Sequence, residues 1–287
     1  MKAFEDRYFW SRDGLRLHYR DYAGPDDRPT VLCIPGLTRN ARDFEGVAGA
    51  LAGSWRVWCL DLRGRGDSGY AKDPLTYTPL VYLQDIEALL AEAGARKLVV
   101  IGTSLGGIMA MLMAGTLNQH LAGVLLNDIG PEIDEAGLAR IRGYVGKTGP
   151  WPTWMHAAWA MRELAADIYP DFTMEDWLRM AKRACYLQPN GRIAVDYDPD
   201  IATPFKMPSG AVAMDLWPAF DALAGLPVAV VRGATSDILS AATCAGMRQR
   251  RPDLMLTEIP RVGHAPTLDE PASRTAIDAL LARVIPG

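Results

Sequence analysis

The 287-residue chain is 49% apolar and carries a net charge of −4. That is enough apolar material for one large α/β domain, or for a core plus a small insertion, and it lacks the basic excess that nucleic-acid partners select. No apolar stretch approaches the ~20 residues of a membrane span, and the first residues, Met1 to Arg7, lack the apolar run of a secretory signal.

The four cysteines, Cys33, Cys59, Cys185 and Cys244, are far apart in sequence. No disulfide framework is expected, and a reducing cytoplasm is the default location. The four histidines pair closely neither with one another nor with cysteine, so no zinc site is expected.

In chain order, Tyr8-Phe9-Trp10 and Leu15 to Tyr19 flank Arg12-Asp13-Gly14, which predicts a hairpin. Thr30 to Ile34 reads as a short buried strand that stops at Pro35-Gly36. Asp43 to Leu51 suits a short helix, and Arg56 to Leu60 the next strand, which leads into the loop Asp61-Leu-Arg-Gly-Arg-Gly-Asp-Ser68. From Leu80 to Ala93 the spacing is helical, with Leu80, Leu83, Ile86, Leu89 and Leu90 on one face and Gly94 as the stop. Leu98 to Ile101 is a strand, Leu105 to Leu117 a helix, and Leu121 to Asn127 a strand. The rhythm then breaks at Pro131. Helical stretches and proline-rich turns, with no convincing buried strand, run to about Trp217. It resumes with a strand at Pro227 to Val231, a helix at Ala241 to Arg250, a strand at Leu254 to Ile259 and a helix at Pro271 to Val284.

Strands alternating with helices predict an α/β fold with a mostly parallel sheet covered on both faces. Residues 1–130 and 218–287 are expected to form this core. Residues 131–217 are expected to be a helical cap inserted over the sheet's C-terminal edge, where open α/β sheets bind ligands.

Gly102-Thr103-Ser104-Leu105-Gly106 follows the apolar run Leu98 to Ile101 directly and precedes a helix. A G-x-S-x-G signature in that context sets a serine on a sharp turn with its hydroxyl in a cleft, which points to an acyl-serine hydrolase. Gly102 and Gly106 fit because side chains there would collide across the turn. A serine hydroxyl needs a base, and the base needs an orienting carboxylate. His264, in Gly263-His264-Ala265-Pro266, follows a predicted strand and is expected to be the base. Asp237 follows the preceding strand and is expected to be the acid. Its competitor is Asp128, just after the strand that follows the serine helix; the simpler reading of Asp128 is a hydrogen-bonded turn residue. Arg63 and Arg65 lack the spacing of a phosphate-binding loop and read as ion-pair partners within their own loop.

The chain resembles the α/β-hydrolase superfamily over essentially its whole length, and looks most like its capped esterase and lactonase-like members. The matching stretches are Ile34-Pro-Gly-Leu37, Asp61 to Ser68, Gly102 to Gly107, Gly233-Ala-Thr-Ser-Asp237 and Gly263 to Leu268. The resemblance implies Ser104 as nucleophile, His264 as base and Asp237 as acid. It also implies an oxyanion hole built from the backbone N–H groups of Leu37 and Leu105. Losing one such donor typically costs about 2.7–4 kcal/mol of transition-state stabilisation. Many relatives have His-Gly before the first donor. Here Pro35-Gly36 offers neither an N–H nor a polar side chain at the first position, so the loop must be braced another way.

Five of the eight tryptophans, Trp151, Trp154, Trp159, Trp177 and Trp217, fall in residues 131–217. Most are expected to pack the cap. Trp151, Trp154 and Trp159 are the candidates to line an apolar acyl or alkyl pocket. The expected substrate is a small or medium apolar ester or lactone. Carbon–carbon bond hydrolysis of ring-cleavage diketones, cofactor-free perhydrolysis with the same triad, and a receptor with little turnover are the alternatives. No metal, organic cofactor, nucleic acid or membrane partner is implied.

Overall fold

A computed structural model describes residues 4–94, 97–146, 149–206 and 215–285. The first strands, β1 (Phe4–Trp10) and β2 (Arg16–Tyr22), form the hairpin expected around Asp13-Gly14. Then come β3 (Thr30–Ile34), α1 (Glu45–Leu51), β4 (Val57–Asp61), α2 (Pro79–Ala93), β5 (Leu98–Thr103), α3 (Leu105–Thr116) and β6 (Leu121–Asn127). After β6 the chain leaves the sheet for α4 (Glu135–Tyr144), α5 (Trp154–Ala165), α6 (Met174–Ala184), β7 (Cys185–Leu187), β8 (Ile193–Val195), α7 (Thr203–Lys206) and α8 (Trp217–Asp221). It returns through β9 (Val228–Gly233), α9 (Ala241–Arg250), β10 (Met255–Ile259) and α10 (Pro271–Val284).

Eight strands make one sheet in the order β1-β2-β4-β3-β5-β6-β9-β10. β2 is antiparallel to both β1 and β4, and every pair from β4 to β10 is parallel. The alternation of side chains along each strand divides the core into two layers. Leu32 and Ile34 of β3 and Val100 of β5 face α2, α3, α8 and α9, through Leu83, Ile86, Met109, Met113, Phe220 and Met247. Val31, Cys33, Val99 and Ile101 face α1 and α10, through Val47, Leu51, Ile277 and Leu280. Fully burying each such aliphatic chain stabilises the fold by about 1.5–3 kcal/mol. Four of the five apolar residues expected on one face of α2 are indeed buried; Leu80, in its first turn, is 64% exposed.

Between β6 and β9, α5, α6, β7 and β8 build a separate small core from Ala157, Ala158, Trp177, Ala181, Ala184, Cys185 and Ile193. Tyr169 stacks on Phe172 at 4.5 Å, and both rings meet Trp177 edge-on. The antiparallel pair β7–β8 lies here. At three residues a strand it is too short for a periodic signal, and so the sequence reading missed it.

Candidate active site

The parallel strands all end at one edge, and three of their loops meet there. Ser104 occupies the turn from β5 into α3, with φ at 51° and ψ at −114°. This is a costly conformation for a residue with a side chain. Tight packing holds it. A Cβ on Gly102 would lie 2.3 Å from the Gly106 carbonyl oxygen, and one on Gly106 would lie 2.0 Å from that of Ile34. The Ser104 N–H also donates to the Asn127 carbonyl at 3.0 Å.

His264 lies in the loop after β10, and its Nε2 is 2.9 Å from Ser104 Oγ. Neighbours position this loop. Asn127 Nδ2 donates to the Pro266 carbonyl at 2.8 Å, Tyr169 Oη to that of Ala265 at 2.7 Å, and the Gly263 N–H to that of Ile168 at 2.9 Å. Two of the three contacts come from the helical segment that follows β6.

The carboxylate on His264 is that of Asp128, and here the sequence expectation is corrected. Asp128 Oδ2 is 2.7 Å from His264 Nδ1. It also accepts the Ser236 hydroxyl at 2.6 Å, while Oδ1 accepts the Gly233 N–H at 2.7 Å. The residue is fully buried, directly follows β6, and adopts the left-handed conformation (φ 55°) that aspartate tolerates better than most residues. An ionised carboxylate only accepts hydrogen bonds. The imidazole proton therefore sits on Nδ1, and Nε2 is left to accept from the serine hydroxyl.

Asp237 points elsewhere. Its two oxygens take a fork from Arg140 of α4, Nε at 2.6 Å and Nη2 at 2.8 Å. The Arg140 hydrogen bond holds the Asp237 carboxyl below the usual carboxylate range.

Leu37 sits on the loop after β3, in the cavity wall, and Leu105 is the first residue of α3. Among the described residues, neither backbone N–H has a hydrogen-bond acceptor. The brace that Pro35 cannot supply comes from Arg65, whose Nε donates to the Leu37 carbonyl at 2.9 Å. Its Nη1 donates to the Arg63 carbonyl and to Tyr82 Oη, and the guanidinium lies between the Tyr77 and Tyr82 rings. Arg65 is fully buried with no carboxylate in salt-bridge range among the described residues, so the expected ion pair is not what holds it. Arg63 does pair, with Asp85 at 2.6 Å and Asp13 at 2.9 Å.

A cavity of about 810 Å³ opens over Ser104 and His264. Its wall joins the sheet loops to the helical segment through Ile141, Tyr144, Met161, Ile168, Tyr169 and Phe172, with Arg39, Arg140 and Arg183 among the polar groups. Of the three tryptophans expected there, only Trp151 lines it. Trp159 is 47% exposed on α5, and Trp154 packs on the small helical core. Both lie on α5, whose Ala157 and Ala158 face inward against α6; tryptophan density alone could not reveal that orientation.

Away from this cavity, Asp6, His18 and Asp67 bring potential metal-ligating atoms within 4.8 Å of one another. Both nitrogens of His18 are already engaged, Nδ1 by Asp61 at 2.7 Å and Nε2 by Asp6 at 2.9 Å. Burial opposes charge on this imidazole, yet the two carboxylates outweigh it and raise its pKa. That is the environment of an imidazolium. Among the described residues, no helix is long and apolar enough to cross a membrane.

The chain is 58% identical to an alpha/beta hydrolase from Novosphingobium aromaticivorans of known crystal structure, with a TM-score of 0.94 over 99% of both chains. It is 36% identical to the 3-hydroxybutyrate-oligomer hydrolase of Cupriavidus necator, over 90% of this chain and 89% of that one. It is 26% identical to the 2-(acetamidomethylene)succinate hydrolase of Mesorhizobium japonicum, over 82% and 81% of the two chains. The model of the alpha/beta hydrolase family matches residues 31–279, and the chain belongs to that family as a hydrolase.

Proposed function

We propose that this protein is a serine ester hydrolase and that its substrates are short linear esters of hydroxy acids, with 3-hydroxybutyrate oligomers as the type. The observation that carries the chemistry is the continuous hydrogen-bond chain Ser104 Oγ, His264 Nε2, His264 Nδ1, Asp128 Oδ2, at 2.9 and 2.7 Å. The substrate class is supported by the likeness to the oligomer hydrolase over nine-tenths of the chain. It is supported too by a cavity whose apolar wall suits methyl-branched units and whose arginines suit ester and carboxylate oxygens.

The geometry translates into steps. His264 Nε2 takes the Ser104 proton as Oγ attacks the ester carbonyl. Asp128 steadies the imidazolium that results. The N–H groups of Leu37 and Leu105 stabilise the oxyanion, and the positive end of α3 adds to their field. His264 then protonates the departing alkoxide. Water, activated by the same imidazole, releases the acyl group as an acid. The described part of residues 131–217 acts as the cap, supplying Tyr144, Met161, Ile168, Tyr169 and Phe172 to the cavity wall; residues 147–148 and 207–214 of that span lie outside the described residues.

The test is turnover of 3-hydroxybutyrate dimer and trimer by the wild type and Ser104→Ala, with fluorophosphonate labelling of the wild type. Hydrolysis by the wild type and its loss in the variant are expected. A vinylogous diketone, and peroxide with acetate, serve as control substrates for the carbon–carbon and perhydrolase alternatives. Full turnover by Ser104→Ala would end the acyl-serine reading.

A further inference from the structure

The residue that stands out in the cavity wall is Arg39, two positions after Leu37. A Cβ placed on Gly36 would touch Arg39 Cγ and Ser104 Cβ equally, at 3.7 Å each, so the arginine stem and the nucleophile flank the same glycine. Asp43 holds the guanidinium by one edge only, taking Nε and Nη2 at 2.6 Å each. A guanidinium has five N–H donors in a rigid plane. Nη1 has no partner among the described residues, and it is not shut away from solvent as the orphaned nitrogens of Arg65 and Arg183 are. The charge also reaches the helical side of the cavity, where it lowers the proton affinity of the Tyr144 and Tyr169 hydroxyls against the larger, opposite effect of their burial.

The other cations of the wall are placed differently. Arg179 and Arg261 are more than half exposed and paired with Asp176 and Asp171. Arg183 spans to Asp269. Arg140 is forked on Asp237. Arg39 alone among them has its stem beside the glycine that adjoins Ser104, and its fork leaves Nη1 unpartnered among the described residues.

We infer that Arg39 is a specificity residue that binds the free carboxylate of the substrate through its open Nη1 edge, so that the protein cleaves oligomers one unit at a time from their carboxyl end. The inference rests on the ester-hydrolase reading above and deepens it. In a hydroxybutyrate oligomer only two carbons separate the last ester oxygen from the terminal carboxylate. A group that reads this carboxylate must therefore stand next to the nucleophile. With the carboxylate on Arg39, the bond presented to Ser104 is the terminal ester. Its acyl carbon passes to Ser104 Oγ, and the ester oxygen leaves as the hydroxyl of 3-hydroxybutyrate, taking its proton from His264. Water then supplies the hydroxyl of the shortened acid and returns the proton to Ser104. Asp43 locks the fork so that little side-chain entropy is lost on binding.

The experiment compares 3-hydroxybutyrate dimer with its methyl ester on the wild type, Arg39→Met, Arg39→Lys and Arg140→Met. Free 3-hydroxybutyrate is also titrated calorimetrically into each, and thermal melts report folding. The wild type should favour the free acid in kcat/KM by about tenfold or more, the scale of a hydrogen bond to a charged group. Arg39→Met should bring the ratio close to one and weaken binding of 3-hydroxybutyrate at least tenfold. Arg39→Lys keeps the charge but loses the fork, and should fall between. An unchanged ratio and unchanged binding in Arg39→Met, or a larger effect in Arg140→Met, overturns the assignment. Should the wild type hydrolyse neither form of the dimer, the substrate reading fails by itself. The calorimetric comparison still decides whether Arg39 binds a carboxylate.

Discussion

Replacing Asp128 with asparagine tests the identity of the acid most sharply. The native carboxylate accepts three hydrogen bonds at 2.6 to 2.7 Å, from Gly233, Ser236 and His264, in a fully buried position. Asparagine keeps the volume, but its amide group can face His264 with an N–H. The imidazole must then accept at Nδ1 and carry its proton on Nε2, pointed at Ser104 and useless as a base. In the Ser-His-Asp triad used as the general template, this tautomer reversal lowers kcat about 10⁴-fold, equivalent to about 5.4 kcal/mol at 1.36 kcal/mol per tenfold. A loss of about 10³–10⁴ in kcat is therefore expected for Asp128→Asn. KM should change little, because the residue does not line the cavity. Asp237→Asn should lose far less, because its fork holds Arg140 rather than the imidazole. The assay is steady-state hydrolysis of p-nitrophenyl butyrate, with thermal melts to confirm folding. A folded Asp128→Asn keeping a tenth of the activity, beside a crippled Asp237→Asn, would falsify the assignment.

Two further outcomes follow from buried charge. Arg65→Met removes the brace on Leu37, so kcat should fall about tenfold or more, in line with the loss of a charge-assisted hydrogen bond. The melting temperature should fall, since the Leu37 and Arg63 carbonyls and the Tyr82 hydroxyl lose their buried donor; a folded variant with unaltered kcat would show that Arg65 does not position the loop. His18 has a pKa raised above its ordinary 6.5 by Asp61 and Asp6, against the opposing effect of burial. A raised folded-state pKa gives stability that is complete below the unfolded value and is lost as pH rises through the folded one. The melting temperature of the wild type should therefore decline with rising pH above about 6.5, and His18→Gln should flatten that slope; parallel profiles would remove His18 from the explanation.

Most of the fold was legible in the sequence because its signals are local. Buried parallel strands are short apolar runs, and the helices between them show their buried faces, as in α2 and α10. The turn around Ser104 was legible for the same reason, since two close-packed glycines bracket it within five residues. The acid was not, because β6 and β9 are neighbours in the sheet, with Asn127 level with Val231. The loops carrying Asp128 and Asp237 thus emerge side by side, and chain order fits either. The usable signal was tether length: Asp128 directly follows its strand, whereas Asp237 stands four residues past Gly233. Arg39 and Arg140 went unread because their meaning depends on cavity walls drawn from distant parts of the chain.

The fork between Asp237 and Arg140 has a consequence of its own. It ties a loop beside the proton relay to α4, while the relay draws its carboxylate from a rigid strand tip. Ser236, beside Asp237 in that loop, donates to the Asp128 carboxylate at 2.6 Å, so any shift of α4 that drags Asp237 reaches the relay through a single hydrogen bond. Substrate range and proton transfer are thereby mechanically linked, so reshaping the α4 wall is expected to alter the aim of the imidazole as well as the guests admitted.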